Sequence, residues 1–214
     1  NYMFENGIEG VDFVICNTDS QALEASPVPT KIQLGAELTE GLGAGSNPEM
    51  GRKAAEESID KVKELLDANT KMLFITAGMG GGTGTGAAPI IAEVAKEKDI
   101  LTVGVVTIPF STEGGNRHEY AMKGLKDLRK HVDTLLVINN DKLIEIYGDL
   151  TFTQAFAKAN EVLNTATKGI AEVISQHLLV NIDLNDARRV LENSGTAVMG
   201  QATASGENRA IEAV

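Results

Sequence analysis

Short apolar runs alternate along the chain with segments in which apolar residues recur every three or four positions. The first kind of segment predicts buried strands, and the second predicts amphipathic helices. Their alternation predicts an α/β fold, in which a parallel sheet is covered by helices on both faces. The predicted strands are 11–17, 31–34, 72–75, 100–107 and 134–138, and the predicted helices include 48–67, 90–98 and 117–130.

The longest helical pattern covers residues 151–177. A helix of that length can span one domain and connect it to another. Beyond it, the pattern predicts a helix over about 183–193, a strand at 195–200 and a further helix from about 206. We therefore expect a long central helix followed by the start of a second domain. Because the chain opens in what reads as a helix end and closes in a helix start, we also expect it to be part of a longer protein.

A glycine-rich stretch, TAGMGGGTGTGAAP at residues 76–89, stands between a predicted strand and a predicted helix. Glycine lets other atoms approach the backbone closely. The first amides of a helix are free donors at the positive end of the helix dipole, and they commonly bind anions. The stretch therefore predicts a phosphate site.

Two common phosphate motifs do not describe this stretch. The P-loop pattern is absent, because its Lys-Ser/Thr pair is replaced by two alanines. A dinucleotide pattern can be drawn through Gly82, Gly84 and Ala87, but Thr107 stands where an acidic ribose ligand is expected. A dinucleotide-dependent oxidoreductase stays open as an alternative, weakened by that missing carboxylate.

A second glycine loop, GLGAGSNP, covers residues 41–48. Asn47 suits a helix N-cap and Pro48 the first helical position. The alternate glycines admit two interpretations, a flexible capped loop or a second set of amides that faces the terminal phosphate.

Polar residues follow the predicted strands, and the carboxyl ends of parallel strands meet at one edge of a sheet, where ligands bind. We therefore expect one nucleotide-sized site formed by the central glycine loop together with Asn17, Asp19, Glu113, Asn139 and Asn140. Asn17 and Asp19 fit equally well as turn residues.

Two further pairs of residues also have competing interpretations. Phe156 and Asn160 lie four residues apart on the central helix, so they share a face. Phe156 fits a plain core position, or a ring against a nucleotide base. Asp183 and Asp186 fit a helix cap and first turn, or paired carboxylates that orient a water.

Composition narrows the class of partner. The net charge is −11, aromatic residues make up 4% of the chain, and tryptophan is absent, so nucleic acid is not expected as a partner. No stretch is long and apolar enough to insert into a membrane. The single cysteine, Cys16, lies in an apolar strand and fits a reducing compartment. The three histidines lack metal-ligand spacing, so no zinc site is expected.

The sequence closely resembles the tubulin/FtsZ GTPase family, over nearly the whole chain and in the order of the family's motifs. The resemblance rests on NTDSQAL, GLGAGSNPEMGRKAAEES, TAGMGGGTGTGAAP, VGVVTIPF, EGGNR, VDTLLVIN, NIDLNDAR, SGTAVMG and GENRA. It implies a Rossmann-like GTP-binding domain at 1–150, a central helix at 151–178, and a synergy loop with the start of a C-terminal domain at 179–214.

The resemblance also implies an activity and partners. It implies a GTPase that binds GTP or GDP with Mg²⁺ and polymerises with itself, head to tail, into the bacterial division ring. The location implied is the cytoplasm at mid-cell, with membrane-tether and other division proteins bound through a tail beyond residue 214. The family places its synergy loop in the nucleotide site of the next subunit, which assigns catalysis to Asn181, Asp183 and Asp186.

The nucleotide contacts implied by the resemblance belong to loops that surround one site, and no protein side chain is implied as a metal ligand. They are Asn17, Asp19, Gly43, Ala44, Gly45, Gly78, Gly80, Gly81, Gly82, Thr83, Gly84, Thr85, Gly86, Pro109, Glu113, Arg117, Asn140, Phe156 and Asn160.

The chain departs from the family pattern at several positions. Asn160 replaces a usual Asp, which predicts weaker guanine selectivity, because an amide forms no charge-assisted hydrogen bond. Asn139 replaces a usual Pro and Glu40 a usual Arg. The family's first strand with its phosphate loop, and most of its C-terminal domain, have no counterpart in the 214 residues.

Overall fold

The computed structural model describes residues 1–67, 69–175, 182–198 and 204–212. The strands are β1 Val14–Asn17, β2 Thr30–Gln33, β3 Met72–Gly78, β4 Leu101–Ile108, β5 Thr134–Asn139 and β6 Gly195–Thr196. The helices are α1 Tyr2–Glu5, α2 Ser20–Glu24, α3 Ala36–Thr39, α4 Pro48–Glu57, α5 Ile59–Leu65, α6 Thr83–Glu97, α7 Gly115–Arg129, α8 Asn140–Tyr147, α9 Phe152–Ser175, α10 Leu184–Leu191 and α11 Arg209–Glu212.

The described strands form two parallel sheets. The larger has the order β3-β4-β5-β6, and β1 and β2 form a separate pair. Gly78 at the end of β3 lies opposite Thr107, and Thr107 lies opposite Ile138. The carboxyl ends of three strands therefore meet at one edge of the larger sheet. The predicted parallel α/β architecture is confirmed.

Helices cover both faces of the larger sheet, because side chains of successive strand residues point to opposite faces. Along β4, Val106 packs with Ala92 of α6 and Leu128 of α7. Val105 points the other way and packs with residues of α8 and α9. One core thus lies on each side of the sheet, as the hydrophobic pattern predicts.

A cavity of about 610 Å³ separates the smaller sheet from the larger one. Val14 of β1 and Phe74 of β3 line it, together with Thr167 and Ala171 of α9. The edges of β1 and β3 beside this cavity have no strand partner among the described residues. The smaller sheet packs against α4 and α6 through one hydrophobic cluster. In this cluster, Ile32 and Leu34 lie with Ala54 of α4 and Ala87 of α6.

Residues 48–67 form two helices, so the single helix predicted there is wrong. The break lies at Ser58, whose hydroxyl accepts a hydrogen bond from the Gly35 amide at 2.9 Å and lies 3.3 Å from the Gln33 carbonyl, to which it donates. Serine side chains compete with helical hydrogen bonds in this way. The break therefore ties α4 and α5 to the end of β2. Within the described ranges, no helix is long and apolar enough to cross a membrane.

Candidate functional site

The central glycine loop is shorter than the sequence predicts. The strand before it runs on to Gly78, and the helix after it begins at Thr83 rather than near Ile90, so the loop consists of residues 79–82 alone. Pro89 lies inside α6 and is buried. The prediction treated glycines as helix breakers, whereas α6 uses them to let other backbone segments approach.

Gly86 shows this use most clearly. A Cβ placed there lies 2.5 Å from the Arg52 amide nitrogen and 2.9 Å from the Gly51 carbonyl carbon, both in α4. These separations are shorter than real Cβ atoms adopt. The Gly86 amide donates to the Gly82 carbonyl within α6, so this glycine serves the packing of α4 against α6. By contrast, a Cβ at Gly81 meets nothing within 4 Å, so only this part of the loop stands beside open space for a ligand.

Free backbone donors gather at the start of α6. Across the described segments, the N–H groups of residues 81–85 donate no hydrogen bond. The Gly80 amide donates to the Thr85 hydroxyl at 2.8 Å, which fixes the turn that leads into the helix. Unpaired amides at the positive end of a helix dipole bind anions. This arrangement is suited to phosphate oxygens.

The second glycine loop lies directly beside the first. A Cβ at Gly82 lies 2.7 Å from the Ala44 methyl carbon and 2.9 Å from the Asn47 amide nitrogen. Asn47 caps α4 as predicted, since its side chain accepts from the Glu49 amide at 3.0 Å. Gly43 has a φ of 88°, and Gly45 one of 57°, in the left-handed region that favours glycine. The two glycine loops therefore form one continuous surface.

Thr18 joins these loops, and the sequence did not indicate it as a site residue. Its side chain is fully buried, and its hydroxyl lies 2.7 Å from the Thr83 hydroxyl. Its carbonyl accepts from the Gly43 amide at 3.2 Å. The partner Thr83 is 65 positions away in the chain. No local pattern at Thr18 can indicate that contact.

Asn17 and Asp19 flank Thr18 and make turn contacts. The Asn17 side chain accepts from the Thr18 amide at 2.8 Å, and Asp19 caps α2 by accepting from the Ala22 amide at 3.1 Å. The Asp19 Cβ lies 3.8 Å from a Cβ placed at Gly43. The turn interpretation is therefore confirmed, and a nucleotide contact by residues beside the second glycine loop stays a prediction.

Glu113 and Arg117 form an ion pair at the end of β4. Arg117 donates to Glu113 at 3.0 Å, and Glu113 also accepts from the Phe110 amide at 2.9 Å. The Arg117 carbonyl lies 2.8 Å from a Cβ placed at Gly80, and Pro109 lies 3.0 Å from it. The ion pair thus borders the first glycine loop.

Asn140 is the first residue of α8 and is 3% exposed. Its side-chain oxygen is buried and has no hydrogen-bond partner. A buried acceptor without a donor is destabilising, so a ligand that donates a hydrogen bond here would stabilise this oxygen.

Phe156 joins the start of α9 to the same edge of the sheet. Its ring packs edge to face against Phe110, with centroids 5.1 Å apart, and against Phe152 at 4.8 Å. Phe156 is half-buried, and Asn160, one turn further on, is exposed. Both interpretations of Phe156 remain, because one ring face can pack on Phe110 while the rest stays accessible.

The acidic turn at the start of α10 lies at the opposite edge of the sheet. Arg188 donates to the Asp99 carbonyl at 2.9 Å, just before β4 begins, and Thr134 at the start of β5 donates to the Leu191 carbonyl at 2.6 Å. The glycine loops follow the other ends of the strands. The structure therefore does not bring the acidic turn and the glycine loops together.

The capping interpretation of the acidic turn is confirmed. The Asp183 side chain accepts from the amides of Asn185 at 2.8 Å and Asp186 at 2.9 Å, while the Asp186 carboxylate accepts from the Asp183 amide at 3.3 Å. Both carboxylates are exposed. Asn181, the third residue predicted here, lies outside the described residues.

Cys16 is a half-buried strand residue, and desolvation raises the pKa of its thiol to about 11. It is therefore protonated and unreactive at neutral pH. Over the described ranges, no group of three or more His, Cys, Asp or Glu side chains is arranged to hold a metal ion.

The fold and the loop arrangement define a class, a parallel α/β protein with helices on both faces and paired glycine loops at the carboxyl edge of the sheet. The model of the Tubulin/FtsZ family GTPase domain matches residues 1–148. The chain therefore belongs to the Tubulin/FtsZ family.

Individual relatives agree with that assignment. The chain is similar to the cell division protein FtsZ of Coxiella burnetii, with 53% identity over 99% of this chain and 55% of the relative. For the FtsZ of Porphyromonas gingivalis the identity is 48%, over 99% of this chain and 47% of the relative. The empty FtsZ dimer of M. jannaschii superimposes with a TM-score of 0.94 at 46% identity, over 99% of this chain and 61% of that chain. The chain spans about half the length of the curated relatives it matches.

Proposed function

We propose that the chain forms the nucleotide-binding part of a GTPase that acts as a subunit of a head-to-tail polymer. The observation that carries this proposal is the separation of its two candidate chemical groups. Free amides lie at one edge of the sheet, and the exposed carboxylates of Asp183 and Asp186 lie at the other. A subunit built in this way needs a neighbour to bring the two groups together.

The phosphates of GTP lie along the paired glycine loops. The amides of residues 81–85 donate to phosphate oxygens, because they have no other acceptor among the described residues. The Thr83 hydroxyl also donates to a phosphate oxygen, because it stands beside open space. Asp19, a carboxylate beside the second glycine loop, would hold a water bound to Mg²⁺, which usually keeps several waters when it binds phosphate oxygens. Bound Mg²⁺ supplies neutralisation of phosphate charge.

The nucleoside lies between the end of β4 and the start of α9. Glu113 and Arg117 contact the ribose and the base edge, and the Asn140 side-chain oxygen accepts from the base. A guanine N–H would satisfy that buried oxygen. Phe156 packs on the base and Asn160 accepts from its edge, which is consistent with the half-buried ring beside an exposed amide.

Hydrolysis is completed when one subunit places its acidic turn at the nucleotide of the next. The carboxylates of Asp183 and Asp186 orient and activate the attacking water, with Asn181 beside them, while amides of the glycine loops stabilise the charge that develops on the phosphate. The helix cap holds both carboxylates at one turn and leaves them exposed. A cap and a catalytic carboxylate are therefore compatible in one residue.

The cavity between β1 and β3 is assigned to one further strand. Both facing strand edges lack a partner in the part of the chain that the structure describes, and the family resemblance implies a first strand with a phosphate loop. We place this subunit in the cytoplasm at the division site, with residues 1–150 binding GTP, 151–178 connecting and 179–214 starting the C-terminal domain. Membrane-tether and division proteins bind a tail beyond residue 214.

The test is phosphate release from GTP and from ATP against protein concentration, in a chain extended to the length of its curated relatives. We expect a GTP-selective rate that appears only above a threshold concentration. Asp186→Ala subunits should bind GTP normally and release little phosphate. A rate per molecule that is constant from the most dilute sample upward would refute catalysis between subunits. Equal rates with GTP and ATP would refute the base pocket.

A further inference from the structure

Thr18 lies between the second glycine loop and the start of α6. Its side chain is 0% exposed, at the turn that follows β1. Its hydroxyl oxygen lies 2.7 Å from the hydroxyl oxygen of Thr83, the first residue of α6. Its carbonyl accepts from the Gly43 amide at 3.2 Å. One residue thus contacts the second glycine loop and the helix residue that directly follows the first.

The direction of the hydroxyl–hydroxyl bond follows from burial. Each hydroxyl has one proton to donate, and a buried proton without an acceptor is destabilising. The Thr18 hydroxyl has Thr83 as its one partner among the described residues. Thr83 is only partly buried and stands beside free amides and open space. Donation from Thr18 to Thr83 therefore satisfies the buried proton and leaves the Thr83 proton free.

We propose that Thr18 is a positioning residue that holds the Thr83 hydroxyl as a hydrogen-bond donor to a nucleotide phosphate. This inference rests on the proposed function, since it assumes that phosphate lies at the start of α6. Thr18 does not touch the nucleotide in this arrangement. It fixes the rotamer and the proton of a side chain that does. The Thr18 carbonyl, through the Gly43 amide, keeps the second glycine loop beside the same phosphate.

The test is a double-mutant cycle, measured as equilibrium binding of GDP and of guanosine to dilute, unassembled protein extended to the length of its relatives. Thr18→Val keeps the shape of the side chain and removes the hydroxyl. We expect it to weaken GDP binding by about 5–10-fold, the value of one neutral hydrogen bond, and guanosine binding by less than about 2-fold. Thr83→Val should do the same. The double variant should bind GDP no more weakly than Thr83→Val, because the Thr18 hydroxyl acts only through Thr83.

The matched control is Thr134→Val, which removes a buried hydroxyl at the opposite edge of the sheet. Thr134 is also 0% exposed and bonds the Leu191 carbonyl and the Ser194 hydroxyl. We expect it to lower stability and leave GDP affinity unchanged. If Thr18→Val and Thr134→Val bind GDP equally well, or if the effects of Thr18→Val and Thr83→Val add, the positioning role is refuted and the proposed function still stands.

If Thr18→Val does not fold, two further variants distinguish the effect of the Thr18 hydroxyl on GDP binding from the effect of its methyl group. Thr18→Ser keeps the hydroxyl and should bind GDP within about 2-fold of the unchanged protein, whereas Thr18→Ala should show the full loss. Equal affinities for these two variants would overturn the inference. If the unchanged protein binds guanosine and GDP with the same affinity, no phosphate site exists, and both the inference and the proposed function fail.

Discussion

Gly86 lies where α6 crosses α4, and we expect Gly86→Ala to force the two helices apart. A Cβ at this position stands 2.5 Å from the Arg52 amide nitrogen, about 0.9 Å short of ordinary van der Waals contact. The atoms it meets belong to the backbone, so no flexible side chain can move aside. The same close approach is seen from α4, because a Cβ placed at Gly51 lies 2.8 Å from the Gly82 carbonyl carbon.

The magnitude follows from two opposing effects. Alanine is a better helix former than glycine by about 1 kcal/mol, which favours the variant. Overpacking a tight contact costs about 1–3 kcal/mol, and a backbone contact belongs at the upper end of that range. The expected net loss is about 2 kcal/mol, which corresponds to a fall in Tm of about 4–8 °C for a chain of this size.

The assay is thermal unfolding followed by circular dichroism, with Gly81→Ala as the matched control. Gly81 lies in the glycine loop that leads into α6, and its Cβ would meet nothing within 4 Å. We expect the control to unfold within about 1 °C of the unchanged protein, because neither overpacking nor strain acts there. If Gly86→Ala unfolds at the same temperature as Gly81→Ala, the close crossing of α4 and α6 does not exist as described.

Three further predictions concern single side chains. Asparagine caps helices as well as aspartate does, so Asp183→Asn should change the free energy of unfolding by less than about 0.5 kcal/mol. GTP turnover by assembled subunits should nevertheless fall at least about 10-fold. Unchanged turnover would leave Asp183 as a cap alone. Asn160→Asp gives the base pocket a charged hydrogen-bond acceptor. The ratio of GTP affinity to ATP affinity, measured by competition binding, should therefore rise by about 10-fold. A constant ratio would place this residue away from the base. Burial raises the pKa of the Cys16 thiol from 9.0 to about 11. The unfolded chain therefore loses this proton first, and stability should fall by up to about 2–3 kcal/mol as the pH rises from about 9 to about 11. Urea unfolding at several pH values should show this fall in the unchanged protein and lose it in Cys16→Ala, and parallel curves for the two would contradict it.

The sheet and the position of the site follow from local patterns. Buried parallel strands read as short apolar runs, and the helices between them show helical periodicity, so the order of elements is visible along the chain. Polar residues such as Asn140 come directly after these runs, which places them at the carboxyl edge of the sheet. The cap at Asn47 is equally local, because the side chain bonds an amide two residues away.

The contacts that shape the site are not local, and they explain what the sequence could not predict. Gly86 resembles a loop residue because its role depends on α4, which lies more than 30 positions earlier in the chain. The break at Ser58 depends on Gln33 and Gly35, and the role of Thr18 depends on Thr83. In each case a short-range pattern is compatible with several structures, and a distant backbone group selects one.

The acidic turn shows the same limit for function. A carboxylate at the start of a helix is stabilised by free amides and by the helix dipole, whatever else it does. The capping bonds of Asp183 therefore neither support nor weaken a catalytic role. Exposure and position distinguish the two roles. A carboxylate needed only as a helix cap can lie anywhere in the fold. A carboxylate that acts in the nucleotide site of a neighbouring subunit must face outward, at the sheet edge away from its own glycine loops. Asp183 and Asp186 meet both conditions, because they are exposed and Arg188 ties their helix to the turn before β4.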